Sequence, residues 1–120
     1  MYRVFIWSAF LDLAEELAAL PANEAAARTA ISRAYYATFH AGRAYLDRSN
    51  VLINRSRQTH VQVQVALQMR NTEIGQIVAV LHTWRKQADY DSPNIPDFDE
   101  MAQSAVALAR ETIAAIERLP

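Results

Sequence analysis

The stretch Ser32-Arg33-Ala34-Tyr35-Tyr36-Ala37-Thr38-Phe39-His40 sets Arg33, Tyr36 and His40 at i, i+3 and i+7, a spacing that stacks them on one side of a helix. Between them lie only small residues, Ala30, Ala37, Ala41 and Ala44. A face of this kind, poor in Lys and Glu, suits close packing against another helix or subunit better than it suits water. Arg33, Tyr36 and His40 are therefore the expected interface residues. Farther along, Arg85 continues the row Ile74, Val78 and Leu81 and so points to the core side of its helix. A buried guanidinium needs a partner, because leaving it unpaired costs about several kcal/mol. Asp89 stands four residues on and supplies the pair, and Tyr90 can donate a hydrogen bond to the same network. Such a pair either holds the end of a helix or serves a site, and the residues alone leave both open.

Other site chemistries find no support. The chain has no cysteine, and its three histidines, His40, His60 and His82, show no HExxH-type carboxylate spacing, so neither a metal site nor a cofactor is expected. There is no Gly-rich phosphate loop and no Ser-centred elbow. Trp7 and Trp84 lie in apolar patterns and read as core anchors.

The elements that must position these residues are all helical. Only two glycines among 120 residues, with abundant Ala, Leu, Glu, Gln and Arg, point to an all-α protein. Ile6, Phe10, Leu13, Leu17 and Leu20 recur as the core face of a first helix ending near Pro21. Asn23 caps a second helix reaching about Leu46, with Ile31, Tyr35, Thr38, Gly42 and Tyr45 on its core side. After a connection over 47–58 comes THVQVQVALQM, where Val61, Val63 and Val65 alternate as a strand would. With no second strand to pair with, it is expected as a short helix capped by Thr59. Thr72 is expected to cap the fourth helix, and Asp97 with Glu100 to form a capping box opening the last. The prediction is a single domain over 1–120, an antiparallel bundle of four to five helices.

Net charge is −1, which argues against a general nucleic-acid binder, but the charge is unevenly distributed. Residues 28–60 carry six arginines against the single acid Asp47, whereas residues 89–100 carry five acids and no base. Either one zone faces an anion and the other a basic surface, or the two neutralise each other within the fold. Asp12, Glu15 and Glu16 follow the apolar start directly, so the N-terminal segment reads as a helix rather than an export signal. A cytoplasmic protein without a membrane span is expected.

Three stretches taken together, SRAYYATFH at 32–40, Thr59-His60 and Arg85-Lys86-Gln87-Ala88-Asp89-Tyr90, resemble the small prokaryotic HEPN-domain proteins often encoded beside a minimal nucleotidyltransferase. In that family a SRxYYAxF helix, a Thr-His before the third helix and an RxxADY near the end of the fourth occur in this order. The resemblance covers about residues 8–119. It implies a HEPN-like bundle of four or five helices, a homodimer, and a role in a toxin–antitoxin or defence-type module through association with a nucleotidyltransferase partner.

The alternative it implies is a metal-independent endoribonuclease that cleaves single-stranded RNA at a composite dimer site through Arg, four to six residues, then His. In such a site a histidine moves protons and an arginine stabilises charge on the phosphoryl group. Arg55 to His60 has that spacing, as has Arg33 to His40. At the family's usual position the arginine is Arg85, but the histidine slot holds Tyr90, whose ordinary pKa near 10 makes a poor base at neutral pH. Arg85, Tyr90, Arg55 and His60 are thus the catalytic candidates under this alternative, with RNA as the partner.

Overall fold

The computed structural model describes residues 5–54, 56–91 and 94–120. Five helices form in chain order: α1 (Ser8–Ala18), α2 (Glu24–Arg48), α3 (Thr59–Arg70), α4 (Thr72–Lys86) and α5 (Phe98–Glu117), with a π-helical turn (Gln87–Asp91) extending α4. Among the described residues there is no strand, and no helix is long and apolar enough to cross a membrane. The alternating Val/Gln segment is helical because nothing is present for it to pair with, while its Val63 and Leu67 fit the buried side of α3.

α2 is the axis of the fold, packing on all four other helices. That explains its alanines: Ala26, Ala27, Ala30, Ala34 and Ala37 are all buried, and small side chains let neighbouring helices approach closely. The expected core row of Ile31, Tyr35, Thr38, Gly42 and Tyr45 is buried throughout. The Ala30–Ala37 side opposite is buried too, so this half of the small-residue strip is covered by this chain's own helices, whereas Ala41 is half-buried and Ala44 exposed. The Cα radius of gyration is 14.3 Å, close to the ~13.6 Å of one compact domain of this length.

Several local expectations need correction. α1 buries Leu11, Ala14 and Ala18, whereas Ile6, Leu13 and Leu20 are exposed and Phe10 and Leu17 only flank the core. The helix carries two apolar stripes, and the narrower one with alanines allows the closer seat on α2 and α5. Asn23 caps α2 as expected, accepting from the Ala26 N–H at 3.0 Å. Thr59 and Thr72 are instead the first helical residues of α3 and α4. The Thr59 hydroxyl serves the preceding turn, donating to the Ser56 carbonyl, and Asn71 caps α4 through the Ile74 N–H. Asp97 precedes α5 with a left-handed backbone and no side-chain cap, so the capping box does not form.

Both glycines sit against α3. A Cβ on Gly42 would lie 2.7 Å from the Leu67 Cδ1 atom, and one on Gly75 would collide with Gln68, whose Cα would be 2.5 Å away. α3 is therefore wedged into notches on α2 and α4, and its orientation decides where His60 and Gln64 point.

Candidate functional site

The polar groups of four elements converge on Arg85. α2 contributes Ser32, Tyr35 and Tyr36; α3 contributes His60 and Gln64; α4 contributes His82 and Arg85; the π-helical turn contributes Asp89 and Tyr90. Arg85 Nη2 donates to the Tyr36 hydroxyl at 2.6 Å. Its Nε lies 3.1 Å from Asp89 Oδ2, an ion pair whose angle falls outside hydrogen-bond geometry. The same Asp89 oxygen accepts from Ser32 Oγ at 3.2 Å. The Arg85 guanidinium carbon stands 5.1 Å from the Tyr36 ring centre and 5.3 Å from that of Tyr90, within cation–π range. With its side chain only 15% exposed, Arg85 is paired, bonded and stacked at once.

The π-helical turn is fastened from α2. Arg28 Nη1 donates to the Ala88 carbonyl at 2.9 Å and to that of Gln87 at 3.4 Å, while its Nε bonds Glu24. Carbonyls released where α4 widens thus gain a cationic donor. Here the arginine-rich stretch meets the beginning of the acidic one.

Beside Arg85 lies a stack of rings. The His60 and His82 imidazoles are 12° from parallel with centroids 5.2 Å apart. Tyr35 stacks on His82 at 5.0 Å and Phe39 on His60 at 4.5 Å. Tyr35 Oη and His60 Nδ1 are 2.6 Å apart, and Gln64 Nε2 reaches His82 Nδ1 at 2.7 Å. Burial pushes the Tyr35 phenol well above its ordinary range, against the opposing hydrogen bond from Gln64. The phenol therefore keeps its proton and shares a hydrogen bond with His60 Nδ1.

Burial and then the Arg85 charge lower the pKa of His60. His82 falls to about 4 through burial, reinforced by His60, Lys86 and Arg85. Both imidazoles are neutral at pH 7, and both Nδ1 atoms are hydrogen-bonded within the cluster.

The other candidate residues go elsewhere. His40 stacks on Trp7 at 3.5 Å and 11°, and burial with Arg43 and His60 lowers its pKa to about 4. Arg33 lies over Phe10 at 4.9 Å and over Tyr36 at 5.4 Å. Trp7 and Phe10 thus lie against His40 and Arg33, while Tyr36 turns to Arg85. Arg55 lies outside the described residues, so the Arg55/His60 spacing has no geometry to report. Arg85, Asp89, Tyr90 and His60 come together; Arg33 and His40 form a neighbouring aromatic layer.

Sequence reasoning missed Tyr35, Gln64, His82 and Ser32 as members of the cluster. Two spacings carried the signal: His60 and Gln64 share one face at i, i+4, and His82 and Arg85 another at i, i+3. Two cavities elsewhere, about 430 Å³ between α1 and α5 and about 390 Å³ between α4 and α5, are lined by no histidine. Among the described residues no three His, Asp or Glu side chains gather as metal ligands. No protein-family model matches the chain, and neither does a curated protein or a solved structure.

Proposed function

We propose that the chain is a HEPN-type bundle that acts by association, as the partner of a minimal nucleotidyltransferase in a toxin–antitoxin or defence-type module. The observation that carries this reading is the engagement of Arg85 by partners within its own chain. Its guanidinium is committed to Tyr36 and Asp89, and both neighbouring imidazoles are hydrogen-bonded through Nδ1 within the chain. A cation already held by a carboxylate and a phenol is suited to hold a surface in shape rather than to stabilise a transient charge. What it holds is the π-helical turn, where Tyr90 stands 73% exposed beside an acidic stretch. An exposed aromatic amid carboxylates fits a basic partner surface.

Co-expression with a minimal nucleotidyltransferase, followed by size-exclusion chromatography, tests the proposal. Co-elution is expected, weakened by Tyr90→Ala. Separate elution of the two folded proteins contradicts it.

A second reading, the endoribonuclease, is favoured by one observation: Arg85 and His60, 25 positions apart in sequence, are electrostatic neighbours here. In that reading a homodimer would place two such clusters across a groove, and Arg85 would have to exchange Asp89 for phosphate.

A further inference from the structure

One side of α3 is open to solvent. Val63 and Leu67 are fully buried, but Val61, Val65 and Met69 are 53%, 50% and 83% exposed. At i, i+4 and i+8 these three form a continuous apolar stripe roughly 12 Å long. Leu52, also exposed, lies two residues before Asn54, whose N–H donates to Gln62 at the start of α3. The stripe is held firmly, because Gly42 and Gly75 seat α3 closely on α2 and α4. A rigid apolar face loses little entropy on binding.

The formal charge that α3 and its N-terminal approach carry among the described residues is of one sign. None of the 12 residues of α3 is acidic; Arg57 precedes the helix and Arg70 ends it, both exposed. Among the described residues no ion pair involves α3. Arg70 donates to the Tyr45 hydroxyl at 3.3 Å, which leaves its charge unneutralised. The positive end of the helix dipole adds to Arg57. A second copy laid antiparallel would bring Arg57 against Arg70 of the other copy, and a parallel one would bring Arg57 against Arg57. Both are like-charge contacts, which disfavour self-pairing.

We propose that the Val61–Val65–Met69 stripe is a docking site for an acidic amphipathic helix of a partner protein. Apolar residues of that helix, at i, i+3 or i+4 and i+7, cover the stripe, and its carboxylates meet Arg57 and Arg70. The site does not rest on the Arg85 cluster or on the family reading, and either can fail without the other.

The probe is a labelled helical peptide of about 18 residues with Leu on one face and Glu on the other, compared with its Lys-for-Glu counterpart. Methyl NMR spectra locate the contact. The Glu peptide is expected to bind with a dissociation constant below about 1 mM and to shift the methyls of Val61, Val65 and Met69. Val65→Asp and Met69→Asp, both on the exposed side and checked for folding by circular dichroism, each weaken binding by about tenfold or more. Arg57→Glu combined with Arg70→Glu reverses the preference between the two peptides. The proposal is overturned by any of four results: no binding of the Glu peptide at about 1 mM, equal binding of both peptides, shifts confined to another face, or a dimer that Val65→Asp dissociates in sedimentation runs.

Discussion

Arg85 donates to the Tyr36 hydroxyl across 2.6 Å, joining residues 49 positions apart and tying the end of α4 to the middle of α2. Asp89 Oδ2 lies 3.1 Å from Nε of the same guanidinium, so the group has two partners from different elements. Removing either partner acts on the same network.

Tyr36→Phe is expected to cost about 1.5 kcal/mol, the usual loss for a hydrogen bond to a charged group. Arg85→Gln costs more, because Asp89 is left half-buried without its cation. The double variant loses less than the sum of the two, by about 1 kcal/mol. Urea denaturation of the four proteins measures all three quantities, and strict additivity would show that the two residues do not share a network.

Stability depends on pH through the ring stack. His82 and His40 titrate at about 4 in the folded chain and His60 below its ordinary value, against about 6.5 when unfolded. Below pH 6.5 the unfolded chain binds protons that the folded chain refuses. Stability is thus complete above that pH and falls progressively toward pH 4. His82→Gln flattens the slope across this window. Denaturant midpoints measured from pH 7.5 to 4 give the comparison, and an unchanged slope in the variant would remove His82 from the account.

The two glycines respond differently to the same substitution. A methyl on Gly75 meets the Gln68 backbone, which cannot move without α3, whereas one on Gly42 meets only the end of the Leu67 side chain. Gly75→Ala is expected to lose about 2 kcal/mol or more by overpacking. Gly42→Ala is expected to be nearly neutral, since the ~1 kcal/mol gain in helix propensity offsets the rearrangement of Leu67. Thermal unfolding of the two variants decides it, and a similar loss in both would refute the distinction.

Thr112 is fully buried on α5, and its hydroxyl has no hydrogen-bond partner among the protein groups described. Thr112→Val keeps the shape and removes the unsatisfied group, so stability should rise by about 1 kcal/mol. A loss of comparable size would mean that the hydroxyl is satisfied in solution.

What was legible in the sequence followed from periodicity. The α2 core row and the Asn23 cap were readable because each depends on neighbours three or four residues away. Arg85 with Asp89 was readable for the same reason. The choice between the two stripes of α1 was not, because it depends on which one lets α2 and α5 approach. The Tyr35–His60–His82 stack was equally invisible, since its rings come from three helices whose register is set by the two glycine notches. Asp97 misled because a capping box requires a backbone conformation that a residue pattern does not report.

The central claim is that the Arg85 cluster holds a partner surface in place and does not cleave RNA. The most direct measurement incubates the purified protein with mixed single-stranded RNA in EDTA, alongside Arg85→Ala and His60→Ala, with folding verified by circular dichroism. No cleavage above buffer by any of the three is the predicted result. Cleavage by the wild-type protein that either folded variant loses would contradict the claim and make the cluster a catalytic site.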